Sequence, residues 1–168
     1  MNPPQRPRTD EESQAKVPAL ALLMKLGWSY LAPSTCLAAR GNERSVLMHG
    51  VLREWLAAYR FTYRGSEHPL SSGGVAQVIN AITDTGLSEG LTAANERVTK
   101  HLTLGVTVSE FMPDGHRHSI TVPLINLGNP EQNLLHVTEE LSVEREGAHG
   151  HYRPDIVLYV NGIPLAVI

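Results

Sequence analysis

Among the 168 residues there is a single cysteine, Cys36. That excludes an intrachain disulfide framework and suits a reducing compartment. No run approaches the roughly 18 consecutive apolar residues of a membrane span. The N-terminus, MNPPQRPRTDEE, has no apolar signal core, so a soluble, cytoplasmic protein with no membrane partner is expected. A basic excess is also missing: 14 Lys and Arg stand against 17 Asp and Glu, a formal net charge of −3. Free-standing nucleic-acid binders usually carry such an excess, because phosphate neutralisation and counterion release supply most of their affinity. If this chain meets DNA, something else must hold the DNA there. Neither a Gly-x-Ser-x-Gly nucleophile elbow nor a Walker A phosphate loop occurs.

The composition that remains is globular, 42% hydrophobic and 18% charged. At this length one domain can bury roughly two thirds of its unfolded surface. Residues 1–8, rich in Pro and Arg, read as a disordered lead-in to a domain over 9–168. Thr9 and Glu12 have the spacing of a capping box. The apolar run from Val17 to Leu26 is helical in character, with Pro18 expected to kink it or restart it and Gly27 to end it. A second helix is predicted over 45–61, where Leu47, Val51, Trp55 and Tyr59 recur every four residues. At that spacing Trp55 and Tyr59 read as core rather than a stacking platform. A third helix runs over 74–83, with Val75, Val78, Ile79 and Ile82 on one face. A fourth, over 88–105, uses Leu91, Ala94, Val98 and Leu102.

After residue 105 the period changes from helix to strand. Two strands flank Pro113-Asp114-Gly115, and a third is predicted over 134–143. The chain closes on DIVLYV and IPLAVI around Asn161-Gly162, a pair suited to a type I′ turn because both residues need positive φ. Ile156, Leu158 and Val160 lie on one face of their strand, with Val157 and Tyr159 on the other. Both faces are apolar, so this strand is expected at the centre of a sheet, covered on each side. Ile163, Leu165 and Val167 are expected to bury against it.

Asp155 opens that strand, where burying an unpaired carboxylate would be costly. One reading makes it a turn residue after Pro154, or a partner for Arg153. The other makes it a hard-cation ligand at a strand end, since Mg²⁺ takes one or two carboxylates with water and phosphate oxygens. Two His-x-His pairs, His116/His118 and His149/His151, have strand spacing for zinc, but no cysteine lies nearby and both border turns. His149 and His151, with Arg153, are candidates for lying near DNA phosphates.

The closing segment RPDIVLYVNGIPLAVI closely resembles the nuclease segment of the restriction (R) subunit of type I restriction enzymes. Upstream, ESQAKVPALALLMKLGW, AANERVTKHLTLGVTV and VPLINLGNPEQNLLHVTEELSV resemble the same family in the same order, most weakly between about residues 32 and 86. The resemblance implies an α/β fold of the PD-(D/E)xK nuclease kind, mainly helical first and then a central mixed sheet. It makes Asp155 the first Mg²⁺ ligand of a catalytic site. The family's Glu-x-Lys, whose Glu is a second ligand and whose Lys activates water, is expected immediately after Ile168, so the 168 residues read as a piece cut short of it. A first-helix Glu common in the family falls near Lys16 here, leaving Glu12 or Gln14 as substitutes, and Asn126 stands where the family often has Asp.

The function so implied is Mg²⁺-dependent cleavage of DNA by a type I restriction enzyme, with this piece inactive alone. ATP would act in the full-length subunit and not in these residues. The implied partners are DNA and the methylation (M) and specificity (S) subunits. The rival readings are a non-catalytic DNA-binding or docking module of the same fold, and a related nuclease without a translocase.

Overall fold

The structure is a computed structural model and describes residues 11–84, 89–144 and 150–168. The capping-box residue Thr9 and the lead-in over 1–8 lie outside these residues. The first helix, α1 (Glu11–Lys25), passes through Pro18 without interruption. It ends in a Schellman motif. The N–H of Gly27 (φ 94°) donates to Met24 O at 3.1 Å, and that of Trp28 donates to Leu23 O at 3.1 Å. Strand β1 (Ser29–Tyr30) and helix α2 (Pro33–Arg40) follow.

Helix α3 (His49–Ala58) is shorter than the period predicts. Tyr59 is already extended, and Phe61 belongs to a hairpin of β2 (Arg60–Tyr63) with β3 (Ser66–Pro69). Its turn residues, Arg64 and Gly65, have φ of 50° and 83°. Helix α4 (Ser72–Thr83) begins at Ser71, whose hydroxyl accepts from the Gly74 N–H at 3.0 Å. Val75, Val78 and Ile79 are buried and Ile82 packs on the same core, as the period predicts. Helix α5 (Leu91–Leu104) buries Ala94 but leaves Leu91 exposed in its first turn, short of the core the period assigns it to.

Strands β4 (Val106–Phe111) and β5 (Arg117–Val122) pair across the Pro113-Asp114-Gly115 turn and pack on α4 as a separate hairpin. On β4, Glu110 is buried. Its Oε1 accepts from the Ser71 N–H at 3.1 Å and rests against the Gly74 Cα, at the positive end of α4. A mixed four-stranded sheet occupies the centre, in the order β1, β6 (Leu135–Glu139), β9 (Ile156–Val160), β10 (Ile163–Val167). Only β1 and β6 run parallel. Two short strands, β7 (Val143–Glu144) and β8 (His151–Tyr152), pair beside it.

The sheet places β9 between β6 and β10, as its two apolar faces require, and Ile156, Val157, Tyr159 and Val160 are all buried. Val157 and Tyr159 pack with Cys36, Met48 and Leu141, whereas Ile163 joins the larger core of α3, α4, β4 and β5. Helix α3 touches both clusters, through Leu52, Trp55 and Leu56 on one side and Met48 on the other. The expectation for β10 holds only at Ile163. Leu165, Val167 and Ile168 are 41%, 57% and 60% exposed. The register shifts between Pro164 and Ala166, and no described element covers that face of the edge strand.

The Asn161-Gly162 turn is buried, which is unusual for a hairpin tip. Both residues have positive φ, 53° and 82°. Every polar group of the Asn161 side chain is used. Oδ1 accepts from the Leu134 N–H at 2.8 Å, while Nδ2 donates to Leu124 O at 2.9 Å and to Asn133 Oδ1 at 2.8 Å. The Gly162 carbonyl accepts from the Met48 N–H at 2.9 Å, ahead of α3. Replacing Asn161 by glycine keeps the backbone conformation but leaves a buried N–H and a buried carbonyl without partners. We expect Asn161→Gly to lose about 2–4 kcal/mol in urea unfolding at unchanged m-value. A loss under about 0.5 kcal/mol would show that these bonds are replaceable by water.

Candidate active site

One end of the central sheet gathers the C-terminal ends of β1, β6 and β10 and the start of β9. Asp155 stands there, exposed, between buried Pro154 and buried Ile156. Its backbone carbonyl accepts from the Glu140 N–H at 3.0 Å, which fixes where the residue sits. Among the described residues its carboxylate makes no hydrogen bond or ion pair. Arg153, the partner a structural reading assigns to it, instead holds Glu140 Oε2 at 3.0 Å. Asp155 is thus held by its main chain and leaves its charge in solvent, an arrangement that does little for stability and suits a ligand.

A network of five side chains, those of Lys16, Tyr30, Glu139, Glu140 and Arg153, lies at the same end of the sheet. Lys16 of α1 reaches Glu140 Oε1 at 2.9 Å and Glu139 Oε2 at 3.8 Å, with only 11% of its side chain exposed. It is the residue at which the first-helix carboxylate of the resembled family fails to match, so an ammonium group occupies this side of the site. The Tyr30 hydroxyl donates to Glu139 Oε1 at 2.7 Å. That bond, with burial and the nearby Glu139 and Glu140 charges, pushes the phenol up to about 12. Glu140 is held below the usual carboxylate range by the Lys16 hydrogen bond and charge and then by Arg153. It also has φ of 49°, a left-handed conformation uncommon outside glycine.

The other residues singled out from the sequence are placed elsewhere or undescribed. Glu12 lies on α1, with its side chain outside the described residues, and His149 is outside them altogether. The His151 imidazole sits 2.9 Å from Glu43 Oε2. His118 meets Asp114 Oδ2 at 2.9 Å, and the same oxygen accepts from the Tyr63 hydroxyl at 2.6 Å. That cluster ties the tips of two hairpins together, and its hydrogen bonds, the one from Tyr63 foremost, hold the Asp114 carboxyl far below its usual range. Asn126 accepts from the Asn129 N–H and orders the loop before β6, a structural use. Among the described residues no group of three or more His, Cys, Asp or Glu could hold a metal ion. Asp155 fits as one carboxylate ligand of a hard cation that takes its other oxygens from water and phosphate.

Sequence reasoning missed the Lys16–Glu140–Arg153 network, because 124 residues separate the first two and neither has a local pattern. Its charge balance is testable. Glu140 is depressed in the folded state, so its contribution to stability is present above the ordinary carboxylate pKa of 4.5 and is lost as pH falls through the folded value. Replacing Lys16 by methionine removes the first cause of the depression. We expect the Glu140 carboxyl carbon, followed by NMR, to titrate higher in Lys16→Met, closer to 4.5. An unchanged titration midpoint would remove Lys16 as its principal partner.

No curated protein matches the chain. No helix among the described residues is long and apolar enough to cross a membrane. The family model for the type I restriction enzyme R protein N terminus matches residues 8–168, nearly the whole chain, and the chain belongs to that family.

Proposed function

We propose that this chain is the N-terminal endonuclease region of a type I restriction R subunit, cytoplasmic, acting on DNA with Mg²⁺ inside a complex that includes the methylation and specificity subunits. The observation that carries this reading is the exposed, unpartnered Asp155 carboxylate at the mouth of the buried strand β9. Mg²⁺ bound there would lower the pKa of a water molecule and neutralise charge developing on the phosphate. The chain's own residues supply the scaffold. Pro154 and the Glu140 N–H fix the position of Asp155, and β6 and β10 brace its strand on either side.

The β10 register supports a two-ligand site of the PD-(D/E)xK kind. Ile156 and Ile168 exchange both backbone hydrogen bonds, at 3.1 and 2.9 Å. The next pair along an antiparallel ladder is a non-hydrogen-bonded one, with Cα atoms about 4.5 Å apart and side chains close on one face. A residue continuing β10 in this register stands opposite Asp155, where the resemblance puts the Glu of Glu-x-Lys. Within the described residues Asp155 is the one carboxylate of this cluster left without a cation or a hydroxyl, so a cation bound there would find one free carboxylate ligand among them. The same shortage of ligands is what favours the second reading, a docking module that keeps the fold without the chemistry.

Asp155→Asn separates the two readings. In the complete R subunit within its complex, we expect DNA-dependent ATP hydrolysis near wild type and double-strand cleavage reduced by several orders of magnitude. Thermal stability should be unchanged, because among the described residues the native carboxylate has no partner to lose. Cleavage retained in this variant would refute Asp155 as a metal ligand and leave the docking module standing.

A further inference from the structure

Beside Asp155 the structure keeps two cations on one carboxylate. Glu140 accepts from Lys16 at 2.9 Å through Oε1 and from Arg153 at 3.0 Å through Oε2. The two partners differ in exposure. The Lys16 side chain is 11% exposed and also faces Glu139, whereas that of Arg153 is 65% exposed and its only ion pair among the described residues is with Glu140. Exposed ion pairs of this kind contribute little and exchange readily. Arg153 can therefore leave at small cost, while Lys16 stays and keeps Glu140 neutralised. The Glu140 backbone also carries a strained positive φ and donates its N–H to the Asp155 carbonyl, so the residue is tied to the start of β9 by its main chain and to α1 by its carboxylate. Strain of this sort persists where surrounding structure fixes a residue for use.

The geometry points to a phosphate-exchange site: Glu140 occupies, in the free protein, the place that a DNA backbone phosphate takes on Arg153. The inference rests on the nuclease reading of Asp155 and adds to it the residue that grips the substrate and the residue that parks it. Arg153 is the phosphate-contacting residue, Glu140 a positioning residue, and Lys16 its anchor. The arrangement answers a charge problem. Glu139, Glu140 and Asp155 place three negative charges where a polyanion must approach, and Lys16 with Arg153 offset two of them. A guanidinium also suits the exchange, since its planar fork matches carboxylate and phosphate oxygens alike. Such a contact carries no base information and so leaves sequence recognition to other parts of the complex.

The test uses the 168-residue chain at low ionic strength and high duplex concentration, where a weak phosphate contact registers without the rest of the complex to hold the DNA. A 12-base-pair DNA duplex is compared with inorganic phosphate at equal phosphate concentration, with the Arg153 Nε–H resonance followed by NMR. The duplex should move that resonance saturably and inorganic phosphate should not. Arg153→Gln should weaken duplex binding severalfold and lower the slope of log affinity against log salt by about one. Glu140→Gln should tighten binding about threefold or more in the native background and leave it unchanged in the Arg153→Gln background. Thermal midpoints, measured alongside, should stay near the native value for Arg153→Gln, and any fall caused by Glu140→Gln should be the same in both backgrounds. An Arg153 resonance that ignores the duplex, or an equal gain from Glu140→Gln in both backgrounds, overturns the proposal. Movement with inorganic phosphate alone assigns the site to a free phosphate group and overturns the DNA assignment. The binding readout is taken without Mg²⁺ and without cleavage, so a failure of the nuclease reading in the cleavage assay is distinguishable from a failure here.

Discussion

The buried amide of Asn161 is the contact on which the arrangement of the rest depends. A hairpin tip normally satisfies its polar groups with water, and this one has none to use, so each must find a protein partner. The side chain takes two backbone groups from the loop leading into β6 and a third partner in Asn133. The main chain of Gly162 meets the start of α3. The two turn residues thereby set the relation of β9 and β10 to β6, to the preceding loop and to the helix between the two core clusters. The register of β10 follows from that turn, and the place of Asp155 follows from the register.

The active-site end shows how the two halves of the chain divide the work. The strands supply position: Asp155 is set by Pro154 before it, buried Ile156 after it and the amide of Glu140 beside it. The first helix supplies charge, through a single lysine that reaches two glutamates of β6 and the turn after it. Among the described residues the neighbouring cations are spent on Glu139 and Glu140, which leaves the Asp155 carboxylate outside the structural pairing.

What the sequence disclosed follows from the range of the interactions. Strand β9 was legible because two apolar faces admit one position in a sheet, and α4 because Val75, Val78 and Ile79 repeat at a helical period. Both Asp-Gly and Asn-Gly turns were legible from the backbone conformations they permit. The β2–β3 hairpin was not, because its turn is Arg64-Gly65 and an arginine at positive φ has no local signature. Strand β1 is two residues long and exists through its partner β6, so no period announces it. Leu165 and Val167 misled in the other direction: an alternating apolar strand implies a covered face, and an edge strand with a shifted register need not have one within the same residues. Asp155 was visible as a candidate from its position alone, but its freedom from Arg153 depended on Glu140, which the sequence could not bring near.

The seating of Glu110 over Gly74 has a consequence for how this sequence can change. A Cβ at position 74 would overlap the Glu110 carboxylate, so a side chain there forces that carboxylate off its seat on the helix. Shortening Glu110 opens the room but removes the acceptor that holds the Ser71 N–H at the head of α4. Neither position tolerates change first. The two should drift together across relatives of this chain, and a sequence with alanine at 74 should carry a residue at 110 that has given up its carboxylate or withdrawn it from the helix.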